Sequence, residues 1–238
     1  MCFNYSLNTS VKSMQERFNA SIIKRDFNPV YHANAFTYPA MPVITNESRD
    51  EINFFNWGLI PSWIKNDSEA DEIKKFTLNA RAETVFEKPS FKGSIIKKRC
   101  IIPASGFFEW QHINKEKLPY YIRLSDKELF SFAGIWSIYT NEDKEQLFSY
   151  SIITSDANEF MANIHNTKRR MPVILDKTEE EIWLNNAIEK GDIQYLIRKK
   201  DQNFKAYTIS KSLGNPKINS NTKNILKEEF YGNLNLGI

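Results

Sequence analysis

Glycine is scarce in this chain, 8 in 238 residues, about half the usual share. No two of them form a Gly-x-Gly pair. That excludes the phosphate cradles of P-loop and dinucleotide-binding folds, which need backbone amides unshielded by side chains. Cysteine is scarcer still. Cys2 and Cys100 are too few for a disulfide framework at this length and are expected to be reduced. The histidines, His32, His112 and His165, are widely spread, and no Cys or His pair has zinc-site spacing. No metal and no cofactor is expected. Strictly apolar runs never exceed three residues, whereas a membrane-crossing helix needs about 20. Met1 to Arg25 also lacks the apolar stretch of a signal peptide, so a cytoplasmic protein is expected, with no membrane partner. Charge of one sign is lacking too. The 32 Lys and Arg against 29 Asp and Glu leave +3, too little to name a nucleic-acid partner without clustering.

Aromatic residues, in contrast, are abundant: 17 Phe, 10 Tyr and 5 Trp, enough to build a sizeable core. Strand patterns recur through the middle of the chain, at 99–102, 106–111, 120–124, 129–135 and 147–154, with a polar turn over 113–117. Another strand is expected at 52–57 and a buried one at 171–175. Helices are expected where Val11, Met14 and Phe18 share a face, over 80–86, after a Ser155 or Asp156 cap up to Ile164, and from a Thr178–Glu181 capping box through Ala187. A short helix at 193–198 and a strand at 204–210 follow. The proline-containing stretch 28–45 and the acidic stretch 66–72 read as loops. No regular strand–helix alternation appears, which disfavours a doubly wound sheet. The expectation is a single α+β domain, residues 1–225, on a curved, partly closed, mainly antiparallel sheet with peripheral helices. A polar tail, 226–238, completes it.

Four positions carry potential chemistry. Cys2 follows the initiator methionine, and trimming of that residue leaves a cysteine with a free α-amine. Amine and thiol have ordinary pKa values of about 8 and about 8.5 and sit on adjacent carbons. An aldehyde captured as an imine by the amine is then open to attack by the thiol of the same residue, an intramolecular step that closes a five-membered thiazolidine. Glu109 lies among the aromatics of Gly106-Phe107-Phe108-Glu109-Trp110. Alternation puts it on the face of Phe107 and Gln111, opposite Phe108 and Trp110. An apolar setting there would make it an acid and base usable near neutrality, while a wet strand face would leave it an ordinary surface carboxylate. His165 precedes the basic run Lys168-Arg169-Arg170. Three cations should lower its pKa and keep the imidazole neutral, and the run reads either as a phosphate contact or as a solvated turn. Asn79, in Asn79-Ala80-Arg81-Ala82-Glu83-Thr84, either caps a helix or orients a substrate oxygen, with Arg81 suited to hold a phosphate. Lys97-Lys98-Arg99 reads as a solvated strand end and Cys100 as core. His32 and His112 have no evident partner.

Five blocks occur in a fixed order: Met1-Cys2, Trp57 to Trp63, Asn79 to Thr84, Cys100 to Trp110, and His165 followed by Arg170-Met171-Pro172-Val173-Ile174-Leu175. In this the chain resembles the SRAP family, the SOS response-associated peptidases or abasic site processing proteins, over roughly residues 2–210. The resemblance implies a monomeric DNA-damage protein that binds single-stranded DNA and crosslinks covalently to the aldehyde of an abasic site, nucleoid-associated when bound, with autopeptidase and lyase activity. It implies Cys2 as nucleophile after Met1 removal, Glu109 as acid and base, His165 as the assistant of imine formation and strand cleavage, and Asn79 as the amide that positions cysteine and sugar. Arg81, Arg170 and, in the longer turn, Arg169 would meet phosphates, and Trp63 lies near an aromatic wedge that meets bases. The chain departs from the family pattern twice. Phe3 and Asn4 stand where many members have Gly-Arg, which removes a phosphate contact. Four residues, Asn166 to Arg169, separate His165 from Arg170 where many members have one. Competing readings are an N-terminal-cysteine amidase or peptidase acting on small substrates, which needs no phosphate contacts, and a non-catalytic reader of damaged DNA.

Overall fold

The structure is a computed structural model and describes residues 2–22, 26–198 and 201–232. In chain order the strands are β1 (Asn4–Leu7), β2 (Ser21–Ile22), β3 (Val30–Asn34), β4 (Ala40–Thr45), β5 (Glu51–Trp57), β6 (Asn79–Arg81), β7 (Arg99–Ala104), β8 (Gly106–Ile113), β9 (Glu116–Leu124), β10 (Phe130–Thr140), β11 (Gln146–Asp156), β12 (Arg170–Pro172), β13 (Ile174–Leu175) and β14 (Phe204–Thr208). The helices are α1 (Val11–Phe18), α2 (Asp67–Ile73), α3 (Lys92–Lys97), α4 (Glu159–Ile164), α5 (Lys177–Trp183) and α6 (Lys190–Leu196).

The expected α+β architecture is present as two sheets around a shared core. The first runs β14-β9-β8-β1-β3 and is antiparallel throughout. The second runs β12-β11-β10-β7-β4-β5-β2, and a parallel pairing of β5 with β11 closes its middle into a barrel. Short β6 and β13 attach to β11 and β10. Every strand of the hydrophobic middle forms where the pattern places it. The β8–β9 hairpin turns on Asn114 at φ 55°, a left-handed conformation that Asn tolerates. Gly106 leaves room for the Tyr121 ring, which lies where a Cβ would stand. The Tyr121 hydroxyl then reaches Ser6 Oγ at 3.0 Å and ties β9 to β1 across β8.

Six local expectations change, each because long-range pairing or a neighbouring cap prevails. The 28–45 stretch is not loop. It supplies β3 and β4, with Pro42 opposite Phe54 in the ladder. Residues 66–72 contain α2, because the Asn66 side chain accepts from Glu69 N–H as an N-cap. Residues 80–86 are not helical. Asn79–Arg81 pair with Ile152–Thr154 of β11, and turns follow. The cap of α4 is Asn158, because Ser155 and Asp156 stay in the ladder with Met171 and Arg170. The capping box belongs to Asp176 and Glu179, and α5 ends at Trp183. The segment expected as tail begins on the body of the protein: Leu226 O accepts from the Tyr207 hydroxyl at 2.8 Å and Glu229 O from the Thr208 hydroxyl at 2.7 Å.

One buried cation organises the helices. Arg99, read as part of a solvated strand end, is fully buried. Its guanidinium donates to Trp183 O and Asn185 O, each at 2.8 Å, and to Ile95 O and Ile96 O. Those carbonyls lie at the ends of α3 and α5, where helical partners run out.

Candidate active site

Cys2 stands two residues before the start of β1 and is fully buried in the core. Its thiol points to Asn4 O at 3.8 Å. Burial pushes the thiol pKa well up, and the Glu109 charge pushes it further. Cys2 shares its buried cluster with Tyr5 and Tyr150, whose hydroxyls lie 3.1 Å apart. Trp57 stacks on Tyr150 and donates its indole N–H to Leu78 O at 2.8 Å, which anchors the residue before β6.

Glu109 lies on the inner face of β8, 4% exposed, so the apolar setting holds and the wet-face alternative does not. Burial drives its pKa up to about 8, against a hydrogen bond from Trp110 N–H that favours the charged form. At neutral pH this carboxyl is mostly protonated, ready to give a proton and then to take one. His165 follows α4, and its Nδ1 lies 3.6 Å from Glu109 Oε1. Nδ1 also lies 2.9 Å from Arg170 O. A carbonyl only accepts, so this assigns the proton to Nδ1 and leaves Nε2 as the acceptor. The pKa of His165 falls to about 4, as expected in direction. The leading cause, however, is burial; of the three neighbouring cations only Arg170 contributes, and it comes last.

Asn79 does not cap a helix. It is 7% exposed on β6, level with Ile152 of β11, one pleat from Tyr150. Neither its amide oxygen nor its amide nitrogen has a hydrogen-bond partner among the described residues. A buried amide in that condition costs free energy unless something else completes it.

The arginines divide. Arg81 is exposed at the end of β6, and Arg169 is exposed at φ 48° in the turn after α4. Arg170, expected at a phosphate, is turned inward. It donates to both oxygens of Glu83 at 2.8 and 2.9 Å, to Asp156 at 2.8 Å and to Thr154 O at 2.6 Å. Two carboxylates occupy the fork that a phosphate would need. Trp63 is 53% exposed, in a segment whose Ile60 and Ile64 pack with Ala70 and Tyr139.

Sequence reasoning missed several supports. Gln111 donates to Asn163 O at 3.1 Å and accepts from the Tyr120 hydroxyl at 3.0 Å. Asn166 pairs with the backbone of His112. His32 does have partners: Asn4 Oδ1 at 2.8 Å and Ser220 Oγ at 2.6 Å. Only Gln111 carried a signal, its alternation onto the face of Glu109. Among the described residues no three of His, Cys, Asp and Glu gather as a metal site, and no helix is long and apolar enough to cross a membrane.

A family model described as SOS response associated peptidase (SRAP) matches residues 1–216. The chain belongs to the SRAP family. Among curated SRAP relatives, the abasic site processing protein YoqW of Bacillus subtilis is 36% identical over 225 residues, spanning 92% of this chain and 97% of that protein. The abasic site processing protein HMCES of Gallus gallus is 39% identical over 164 residues, 60% of this chain and 48% of its own length. A crystal structure of a protein from Bacteroides thetaiotaomicron superposes with a TM-score of 0.89 at 41% identity, covering 96% of this chain and all of that one. A Bordetella bronchiseptica protein at 23% identity and TM-score 0.76, covering 88% of this chain and all of that one, shares the fold.

Proposed function

We propose that this protein captures abasic sites in single-stranded DNA by forming a thiazolidine between Cys2 and the C1′ aldehyde of the opened sugar. One observation carries the reading: a second-residue cysteine buried within electrostatic reach of a carboxyl with a pKa of about 8, which in turn faces a neutral histidine. The names of the SRAP relatives point to the same substrate.

Residue 1 must leave first, since an amide nitrogen at Cys2 cannot form an imine. This is the least that the family's peptidase name demands. Protonated Glu109 then gives its proton to the ring oxygen as the sugar opens to the aldehyde, and takes a proton from the anomeric hydroxyl. The Cys2 amine adds to C1′. Loss of water gives the imine as protonated Glu109 gives its proton to the departing hydroxyl and His165 Nε2 accepts a proton from nitrogen. The thiol adds to C1′ as its proton passes to the Glu109 carboxylate left by that step and His165 returns its proton to nitrogen, so the raised thiol pKa never requires a free thiolate. One water leaves overall. Asn79 directs its unpartnered amide to the sugar or to Cys2. Strand cleavage, the lyase step, uses the imine before the ring closes. Arg81 and Arg169 meet phosphates and Trp63 meets bases, while Arg170 serves through Glu83 and Asp156. The protein works as a monomer in the cytoplasm, on the nucleoid when bound to DNA.

The test is a denaturing gel of protein lacking Met1, mixed with an oligonucleotide carrying one abasic site. A retarded band that survives heat and needs both Cys2 and the lesion is expected. Absence of that band from trimmed protein would overturn the reading and turn attention to peptide and amide substrates.

A further inference from the structure

β8 carries Glu109, and β1 pairs with it only at Gly106 and Phe107. Beyond Phe107 the edge of β8 that faced β1 has no strand partner among the described residues, while the other edge stays paired to β9 as far as Ile113. Side chains take over that edge. His112 N–H donates to Asn166 Oδ1 at 3.0 Å, and Asn166 Nδ2 donates to His112 O at 2.8 Å. A primary amide offers the same donor and acceptor pair as a peptide group, so Asn166 stands in for a missing strand residue. Asn166 is also the residue after His165. On the other side, Gln111 Nε2 donates to Asn163 O in the last turn of α4. The two amides thus fasten β8 to the chain on both sides of His165, two and three residues along the strand from Glu109.

The intervening turn closes on itself. His165 N–H donates to Met161 O at 2.7 Å, Arg169 N–H to His165 O at 2.9 Å and Ala157 N–H to Arg169 O at 2.9 Å. The residues between His165 and Arg170 therefore form a closed loop whose first member reaches back to the strand of the general acid.

We infer that Asn166 and Gln111 are positioning residues that fix the Glu109–His165 separation and the tautomer of His165, with Asn166 the larger contributor. This rests on the proposed aldehyde capture for its consequence but not for its geometry. A distance held only by a mobile turn would vary by more than a proton transfer tolerates. The groups facing the pair are Cys2, Arg170 through its carbonyl, and His112.

Asn166→Ala and Gln111→Leu test this, with Asn141→Ala, a turn amide in the β10–β11 hairpin, as control. In trimmed protein, Asn166→Ala is expected to slow crosslinking by about tenfold and to move the pH midpoint assigned to Glu109 to lower pH as water enters, with affinity for an intact single strand unchanged. Asn166→Asp keeps the acceptor for His112 N–H and is expected to recover part of the rate. Independently of DNA, nitrogen NMR of the imidazoles is expected to show His165 held in the Nδ1–H form in the parent and mixed between tautomers in Asn166→Ala. If the parent forms no crosslink, the functional reading fails and the NMR arm still decides this inference. Wild-type tautomer, rate and pH midpoint in Asn166→Ala would overturn it.

Discussion

Two of the buried polar residues, Arg99 and Asn79, are satisfied in opposite ways. Arg99 spends its guanidinium on four carbonyls, and its backbone N–H on Asn46 Oδ1 at 2.9 Å. Asn79 is almost as deeply buried and spends neither amide atom on the described residues. Complete pairing turns a costly charge into a clasp between helix ends. Missing pairing leaves a cost that folding does not recover. The first pattern marks structure. The second leaves donor and acceptor capacity unused, and it lies one pleat from Tyr150.

The largest effect that would break this comparison is at Arg99. Arg99→Leu leaves four carbonyls unpaired and should cost about 4 kcal/mol or more, read as loss of the cooperative thermal transition. Next is Glu109→Gln. Crosslinking should fall by roughly a thousandfold, while stability at alkaline pH rises. The sign follows from the raised folded pKa: the contribution of Glu109 is complete below its unfolded value of about 4.5 and is lost as pH rises to about 8. Denaturant melts of parent and variant across that window would show the variant's advantage over the parent growing as pH rises. The buried histidines oppose this on the acid side. His32 and His165, each lowered to about 4, withdraw stability as pH falls below their ordinary value of about 6.5.

Asn79→Leu sharpens the contrast. It should leave stability unchanged or raise it by about 1 kcal/mol, since no internal hydrogen bond is lost, yet cut crosslinking by about a hundredfold. A destabilised variant would mean that the amide has an internal partner after all. The smallest effect belongs to Arg81→Glu. It should weaken single-strand binding severalfold and reduce the salt slope by about 0.7, one phosphate on a single strand, with little change in the crosslinking rate at saturating DNA.

Much of the fold was legible because β-strands with one buried face announce themselves locally: β7 to β11 all lie where alternation and aromatic content put them. What was not legible depended on distant partners. Pro39 and Pro42 signal a loop, but β5 and β7 flank the segment and make it β4. Ala80 to Phe86 suits a helix, but β11 claims Asn79–Arg81 as a strand. Of the site, Glu109 and His165 were readable from motif order, and the structure brings them to 3.6 Å. Arg170 was not, because Glu83 and Asp156, 87 and 14 residues away, decide which way it faces. Asn166 was invisible for the same reason: a side chain that completes a strand edge has no local signature.

The most direct test of aldehyde capture is a thiol count on the denatured adduct. The chain has two cysteines, Cys2 and Cys100, both free. An imine and a thiazolidine have the same mass, parent plus oligonucleotide less one water, so mass alone does not separate them. Alkylation of the adduct in denaturant, without borohydride, does. The account predicts one alkylated thiol, Cys100, in an adduct that survives heating. Two alkylated thiols, or an adduct that persists only after reduction, would contradict it.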